Sequence, residues 1–146
     1  LLLIRHAKSS WRIEDLADQY RPLSSKGYRD APLIWQRRPF DPQLWLCSPA
    51  IRAYSTARLM QAAPLELVER LYPGSPESIL AEVAALDETL DQVALVGHNP
   101  ALAQLASQLA GEVVDLKTAD MVWLQWEGSW KDLENGAHVT PVPRPD

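Results

Sequence analysis

At 146 residues the chain is about one domain's worth, long enough to bury roughly two-thirds of the surface its unfolded form exposes. Its composition, 47% hydrophobic and 23% charged, excludes a disordered chain, and no run nears the roughly 20 apolar residues of a spanning helix. A net charge of −5 argues against a general nucleic-acid or anionic-membrane binder, so any anion site must be local. The single cysteine, Cys47, rules out an internal disulfide and points to a reducing compartment, the cytoplasm; within the apolar run Leu44 to Cys47 it reads as a buried structural thiol. The opening Leu1-Leu2-Leu3-Ile4 is too short for a signal peptide, and with no methionine at the start, residues are expected before Leu1.

Those four apolar residues make a short buried strand that ends at Arg5 and His6. Ala7 to Tyr20 has no clean period and reads as a loop with one helical turn around Glu14 to Ala17. Ser24 or Ser25 caps a helix whose Pro32 cannot donate to the carbonyl four residues back, so a kink or break is expected near Asp30 to Leu33. Leu44 to Cys47 is a second buried strand. Ser48-Pro49 follows as N-cap and first helical residue of a helix to about Ala62, burying Ile51, Ala57, Leu59 and Met60. Leu65 to Val68 is a third strand, and Ser75-Pro76 caps a helix with Ile79, Leu80, Val83 and Leu86 at helical spacing.

Val93 to Val96 is a fourth buried strand. Gly97-His98-Asn99-Pro100 turns it into a helix capped by Asn99, facing the sheet with Leu102, Leu105, Ala106 and Leu109 and stopped by Gly111. Met121 to Trp126 alternates as a strand with Trp123 and Trp126 on opposite faces, so that a docking surface built from Trp123, Trp126 and Trp130 is the weakest of the functional readings. Asn135-Gly136 is placed to turn an edge hairpin, and the tail from Thr140 to Asp146 reads as poorly ordered. The alternation predicts one α/β domain over residues 1–146, with a largely parallel sheet and helices on both faces.

In such sheets ligands bind at the carboxyl ends of the strands. Three strand-to-helix junctions there carry Arg5 and His6, Arg52, and His98. Alone, each has an ordinary structural reading; together they suit a phosphoryl group. Guanidiniums bind phosphate oxygens in bidentate fashion, and an unperturbed imidazole is largely neutral at pH 7 and able to attack phosphorus. Two neighbouring arginines repel a dication and no H-x-x-x-H cluster is present, so chemistry without a metal or other cofactor is expected. The P-loop and serine-elbow motifs are absent from the sequence, which removes nucleotide and serine hydrolysis by those routes.

Arg5-His6-Ala7-Lys8-Ser9, then Arg21-Pro22-Leu23-Ser24-Ser25-Lys26-Gly27, then Ser48-Pro49-Ala50-Ile51-Arg52-Ala53 with Thr56-Ala57, and finally Val96-Gly97-His98-Asn99-Pro100 resemble the histidine phosphatase superfamily, most of all its SixA-type phosphohistidine phosphatases. The resemblance covers Leu1 to about Trp126. It implies a three-layer αβα sandwich with a mostly parallel central sheet, phosphoglycerate mutase-like. It also implies His6 as the transiently phosphorylated nucleophile, Arg5 and Arg52 as phosphate clamps, and His98 as donor to the phosphoryl oxygens. Arg21 is implied at the pocket rim. Ser9, beside the nucleophile, is a candidate anion contact, and Lys8 a rim charge.

Glu69, in Glu69-Arg70-Leu71-Tyr72-Pro73-Gly74, matches the phrase that carries the general acid in mutases and broad phosphatases of the superfamily; its other reading is a solvated loop charge. SixA-type members often lack that acid, and the imidazole of a phosphoramidate can itself be protonated. The implied substrate is a phosphohistidine on a partner protein such as a histidine phosphotransfer domain, with no nucleic acid or membrane partner. A small-molecule phosphomonoesterase, working on a small phosphorylated metabolite, is the alternative within the same chemistry. A non-catalytic phosphate-dependent binding module is the alternative outside it.

Overall fold

The first apolar run becomes an inner strand of a six-stranded sheet. In the computed structural model, which describes residues 1–144, the strands are β1 (Leu2–Arg5), β2 (Leu44–Cys47), β3 (Leu65–Leu67), β4 (Val93–Gly97), β5 (Met121–Gln125) and β6 (His138–Pro141). Their order is β3-β2-β4-β1-β5-β6. The first four in that order pair in parallel, β5 runs antiparallel to β1, and β6 antiparallel to β5.

The helices are α1 (Ser25–Trp35), α2 (Ile51–Leu59), α3 (Pro76–Ala84) and α4 (Ala101–Ala110). Period-two alternation assigns every strand residue to one of two layers. Leu2, Ile4, Trp45, Cys47, Ala94, Val96 and Met121 pack against Ala31, Ile34 and Trp35 of α1 and Ala53 and Ala57 of α2. On the other face Leu3, Leu46, Val93, Leu95, Val122 and Leu124 pack against Ile79 and Val83 of α3 and Leu102, Leu105 and Leu109 of α4. The result is the expected three-layer αβα arrangement, and each fully buried Leu or Ile contributes about 2 kcal/mol to it.

Several local expectations are corrected. The helical turn in the long first loop falls at Asp18–Tyr20, as one 3-10 turn, whereas Glu14 and Asp15 form a non-helical turn. Helix α1 is capped by Ser24 and runs unbroken through Pro32, losing only the bond to the carbonyl of Tyr28, a residue exposed enough for water to replace it. Helix α2 starts at Ile51 and ends at Leu59. Its buried face carries Arg52, Ala53, Thr56 and Ala57, while Ile51 is 40% exposed, so its phase follows two polar residues that the apolar count passed over.

Ser48 does not cap α2, and the side chain of Asn99 accepts from Ala103 N–H at 3.2 Å although Pro100 holds the cap position of α4. Asn135-Gly136 is not a hairpin turn. It ends a 3-10 helix, Trp130–Asn135, within the longer link from β5 to β6. Thr140 and Pro141 lie in β6, against the expected disorder from residue 140, and residues 145–146 of that tail lie outside the described residues. Trp123 and Trp126 do pack on opposite faces, and Trp130 is buried with its indole N–H donating to the Leu90 carbonyl, yet all three border one pocket of about 390 Å3.

Candidate active site

Parallel register sets the site. Arg5 lies opposite Gly97 and Cys47 opposite Val96, so β1, β2 and β4 end level and release their following residues over one edge of the sheet. There Arg5, His6, Arg52 and His98 line a pocket of about 470 Å3, with Lys8, Ser9, Trp11, Asp18, Arg21 and Tyr72 toward its mouth. His6, Arg52 and His98 are all buried. The four expected residues therefore meet; Arg21 and Ser9 join them. Glu69 does not: it starts a 3-10 turn with its side chain exposed, and Tyr72 and Pro73 from the same phrase line the pocket instead.

His6 Nδ1 lies 2.7 Å from the Ala7 carbonyl oxygen. A carbonyl only accepts, so Nδ1 carries the ring hydrogen and the lone pair of Nε2 is left for the pocket. Burial pushes the His6 pKa down to about 4, helped by the Arg52 and Arg5 charges and opposed by the Ala7 contact. At neutral pH the ring is an uncharged base, the form a nucleophile needs. The loop leaving His6 is tied to α2 through Thr56: Ala7 N–H donates to Thr56 Oγ1 at 2.9 Å, and that hydroxyl donates to the Arg52 carbonyl at 2.7 Å.

His98, with its ring centre 5.1 Å from that of His6, places Nε2 2.7 Å from Ser48 Oγ. Ser48 Oγ also accepts from Ala50 N–H, at 3.2 Å. With the Ser48 hydroxyl donating to Nε2, the ring hydrogen sits on Nδ1, which is buried and has no partner. Burial first, then the His6 and Arg52 charges, push the His98 pKa down to about 3.

Two more buried donors are in the same condition. Arg5 gives Nη1 to the Leu116 carbonyl at 3.0 Å, a carbonyl that also receives Asn99 Nδ2 at 2.8 Å, while its Nε is unpartnered. Arg52 gives Nη1 to the Asp18 carbonyl at 2.7 Å and Nη2 to Asp18 Oδ2 at 2.9 Å, and its Nε is unpartnered too. Buried polar groups without partners are rare. Arg5, Arg52 and His98 themselves line one pocket, a set of side chains suited to an anion.

The sequence reading missed Asp18 and Tyr72. Asp18 Oδ1 accepts from Arg21 Nε at 3.2 Å and Oδ2 accepts from the Tyr72 hydroxyl at 2.6 Å as well as from Arg52. Those bonds, that from Tyr72 first, hold its carboxyl well below the usual range. Arg21 in turn donates to Ser9 Oγ at 2.9 Å and lies over the Trp11 ring, 3.4 Å from its centre. Ser9 thus holds Arg21. Asp18 stands three residues before Arg21, and that spacing was the one available signal. Cys47, behind the site, is buried with its thiol pushed up to about 12 by burial, in keeping with a structural role.

Comparison with known proteins agrees with this geometry. The family model of the histidine phosphatase superfamily (branch 1) matches residues 1–72. An uncharacterized protein of Mycobacterium tuberculosis strain H37Rv is 33% identical over 148 residues, which span 91% of this chain and 93% of that relative. Among solved structures, a protein assigned as the phosphohistidine phosphatase SixA of Nakamurella multipartitia superposes with a TM-score of 0.87 at 27% identity, covering 99% of this chain and 95% of the other. A second SixA assignment, from Agrobacterium tumefaciens, gives a TM-score of 0.77 at 28% identity over 84% and 88% of the two chains. The chain belongs to the histidine phosphatase superfamily. Within it the fold is of the SixA type, and the protein is an enzyme of the phosphatase class.

Proposed function

We propose that this enzyme removes the phosphoryl group from a phosphohistidine on a partner protein, through a covalent phosphohistidine of its own at His6 Nε2. The observation that carries the chemistry is the meeting of Arg5, Arg52 and His98 with a neutral His6 in one pocket. His6 Nε2 attacks phosphorus as the P–N bond of the substrate breaks and its imidazole leaves. The guanidiniums and the His98 ring take the charge that gathers on the phosphoryl oxygens. Water then attacks phosphorus, phosphate leaves, and His6 is restored.

The leaving group follows from the acids available. Among the described residues lining the pocket Asp18 is the one carboxylate, and it is held ionised; Glu69 lies outside. No carboxylic acid is therefore placed to protonate an alkoxide. An imidazole needs none, because it leaves as a neutral base once its ring is protonated. No helix among the described residues is long and apolar enough to cross a membrane.

The test is phosphate release from a phosphorylated histidine phosphotransfer domain beside an aryl phosphate at equal concentration, in chelator. Fast discharge of the phosphohistidine with slow ester cleavage is expected. Ester cleavage alone would establish a small-molecule phosphatase, and reaction with neither would leave a phosphate-binding module.

A further inference from the structure

We propose that Asp18 is a positioning residue that also lowers the affinity of the pocket for free phosphate, so that product leaves. The inference rests on the pocket being a phosphoryl site, as proposed above. Three guanidiniums, Arg5, Arg21 and Arg52, line one small cavity, and Asp18 is the one carboxylate among the described lining residues. Unopposed, three such cations would repel one another and hold a phosphate dianion tightly. The carboxylate offsets one of these charges, while Lys8 adds a fourth cation to the lining.

Geometry shows how the two roles combine. The Asp18 carbonyl and Oδ2 take one N–H from each terminal nitrogen of Arg52, at 2.7 and 2.9 Å. The guanidinium is thereby fixed from one side. Oδ1 receives Arg21, and the Tyr72 hydroxyl anchors the carboxylate from a third element. Because those partners keep it ionised, it opposes a bound anion throughout the working pH range. The phosphoryl group in the transition state gains from an aimed Arg52; the released phosphate meets a neighbouring negative charge that disfavours its staying.

Asp18→Asn separates charge from shape, since the amide oxygen can still accept from Arg52. The readout is calorimetric titration of inorganic phosphate into the unphosphorylated protein, which needs no turnover. We expect Asp18→Asn to bind phosphate about tenfold more tightly than wild type, with a lower kcat, a lower KM and stronger inhibition by phosphate, and Asp18→Glu to restore wild-type affinity. Asp18→Ser, which also removes the charge, repeats the titration if the amide variant folds poorly, with tighter binding again expected. Phosphate binding equal to or weaker than wild type in the uncharged variants, or a raised KM, would overturn the proposal and leave Asp18 a purely structural link. Wild type that discharges no phosphohistidine yet shows the tenfold change would refute the substrate reading alone, and wild type that binds no phosphate would refute both.

Discussion

Gly27 offers a test of the packing that holds the nucleophile loop. It lies in the first turns of α1, where a Cβ would stand 2.3 Å from the Lys8 carbonyl oxygen, closer than the 3.0 Å that real Cβ atoms keep. Gly27→Ala must therefore part the two backbones by about 0.7 Å. That carbonyl accepts from Ser24 N–H at 2.8 Å and Ser24 Oγ at 3.1 Å, and Lys8 is two residues from His6, so the shift is passed to the nucleophile. Alanine in a helix is favoured over glycine by about 1 kcal/mol, whereas overpacking against backbone costs about 1–3 kcal/mol. The clash wins, and a melting temperature lower by roughly 2–8 °C is expected. A misplacement approaching 1 Å should lower kcat/KM by about tenfold or more. Differential scanning calorimetry and aryl phosphate kinetics measure both. A variant that melts higher than wild type and turns over at the same rate would refute the close approach.

Other consequences follow from single contacts. Ser48→Ala removes the hydroxyl that holds His98 Nε2, and should lower kcat about tenfold while the melting temperature moves by a few degrees at most; unchanged kcat would show that the His98 tautomer does not matter. Glu69→Gln should leave phosphohistidine discharge within about twofold of wild type, since the side chain lies outside the pocket, and a fall of more than about a hundredfold would make it the acid after all. The two histidines also fix an acid dependence. Their folded pKa values lie near 4 and 3, below the ordinary 6.5, so between pH 6.5 and about 4 the unfolded chain binds more protons and stability falls with pH. His6 taken alone contributes about 3 kcal/mol at pH 7 that is lost by pH 4. Melting curves from pH 7.5 to 4.5 should show a decline that is smaller in His98→Asn, and a flat profile would contradict the neutral, buried pair.

The floor of the pocket was legible because Arg5, His6, Arg52 and His98 each stand at the junction of a short apolar strand and the next segment, and parallel strands bring such junctions to one edge. What could not be read was how those groups are aimed. Asp18 sits in a loop with no periodicity, and it reaches Arg52 across 34 positions of sequence and Tyr72 across 54. The Leu116 carbonyl that holds Arg5 is backbone, which no side-chain pattern reports. On helix α2 the apolar residues locate Ala57 and Met60 on the inner face, but Ile51 stands 40% exposed. That face in fact turns Arg52 and Thr56 inward to serve the site, an arrangement that function favours over propensity. Pro32 was read from a local rule, yet the contacts of Ala31, Ile34 and Trp35 with the sheet keep α1 continuous.

The central claim is that His6 Nε2 receives the phosphoryl group. Rapid quench of the enzyme with a labelled phosphohistidine protein, followed by phosphorus NMR of the denatured product, tests it most directly. The account predicts acid-labile phosphate on Nε2 of His6, formed in a burst, absent from His6→Ala, and made with no loss of rate from pH 7.5 to 5.5, because the His6 ring stays neutral there while the leaving imidazole becomes more protonated. Phosphate released from wild type with no such adduct, or an adduct that persists in His6→Ala, would contradict it.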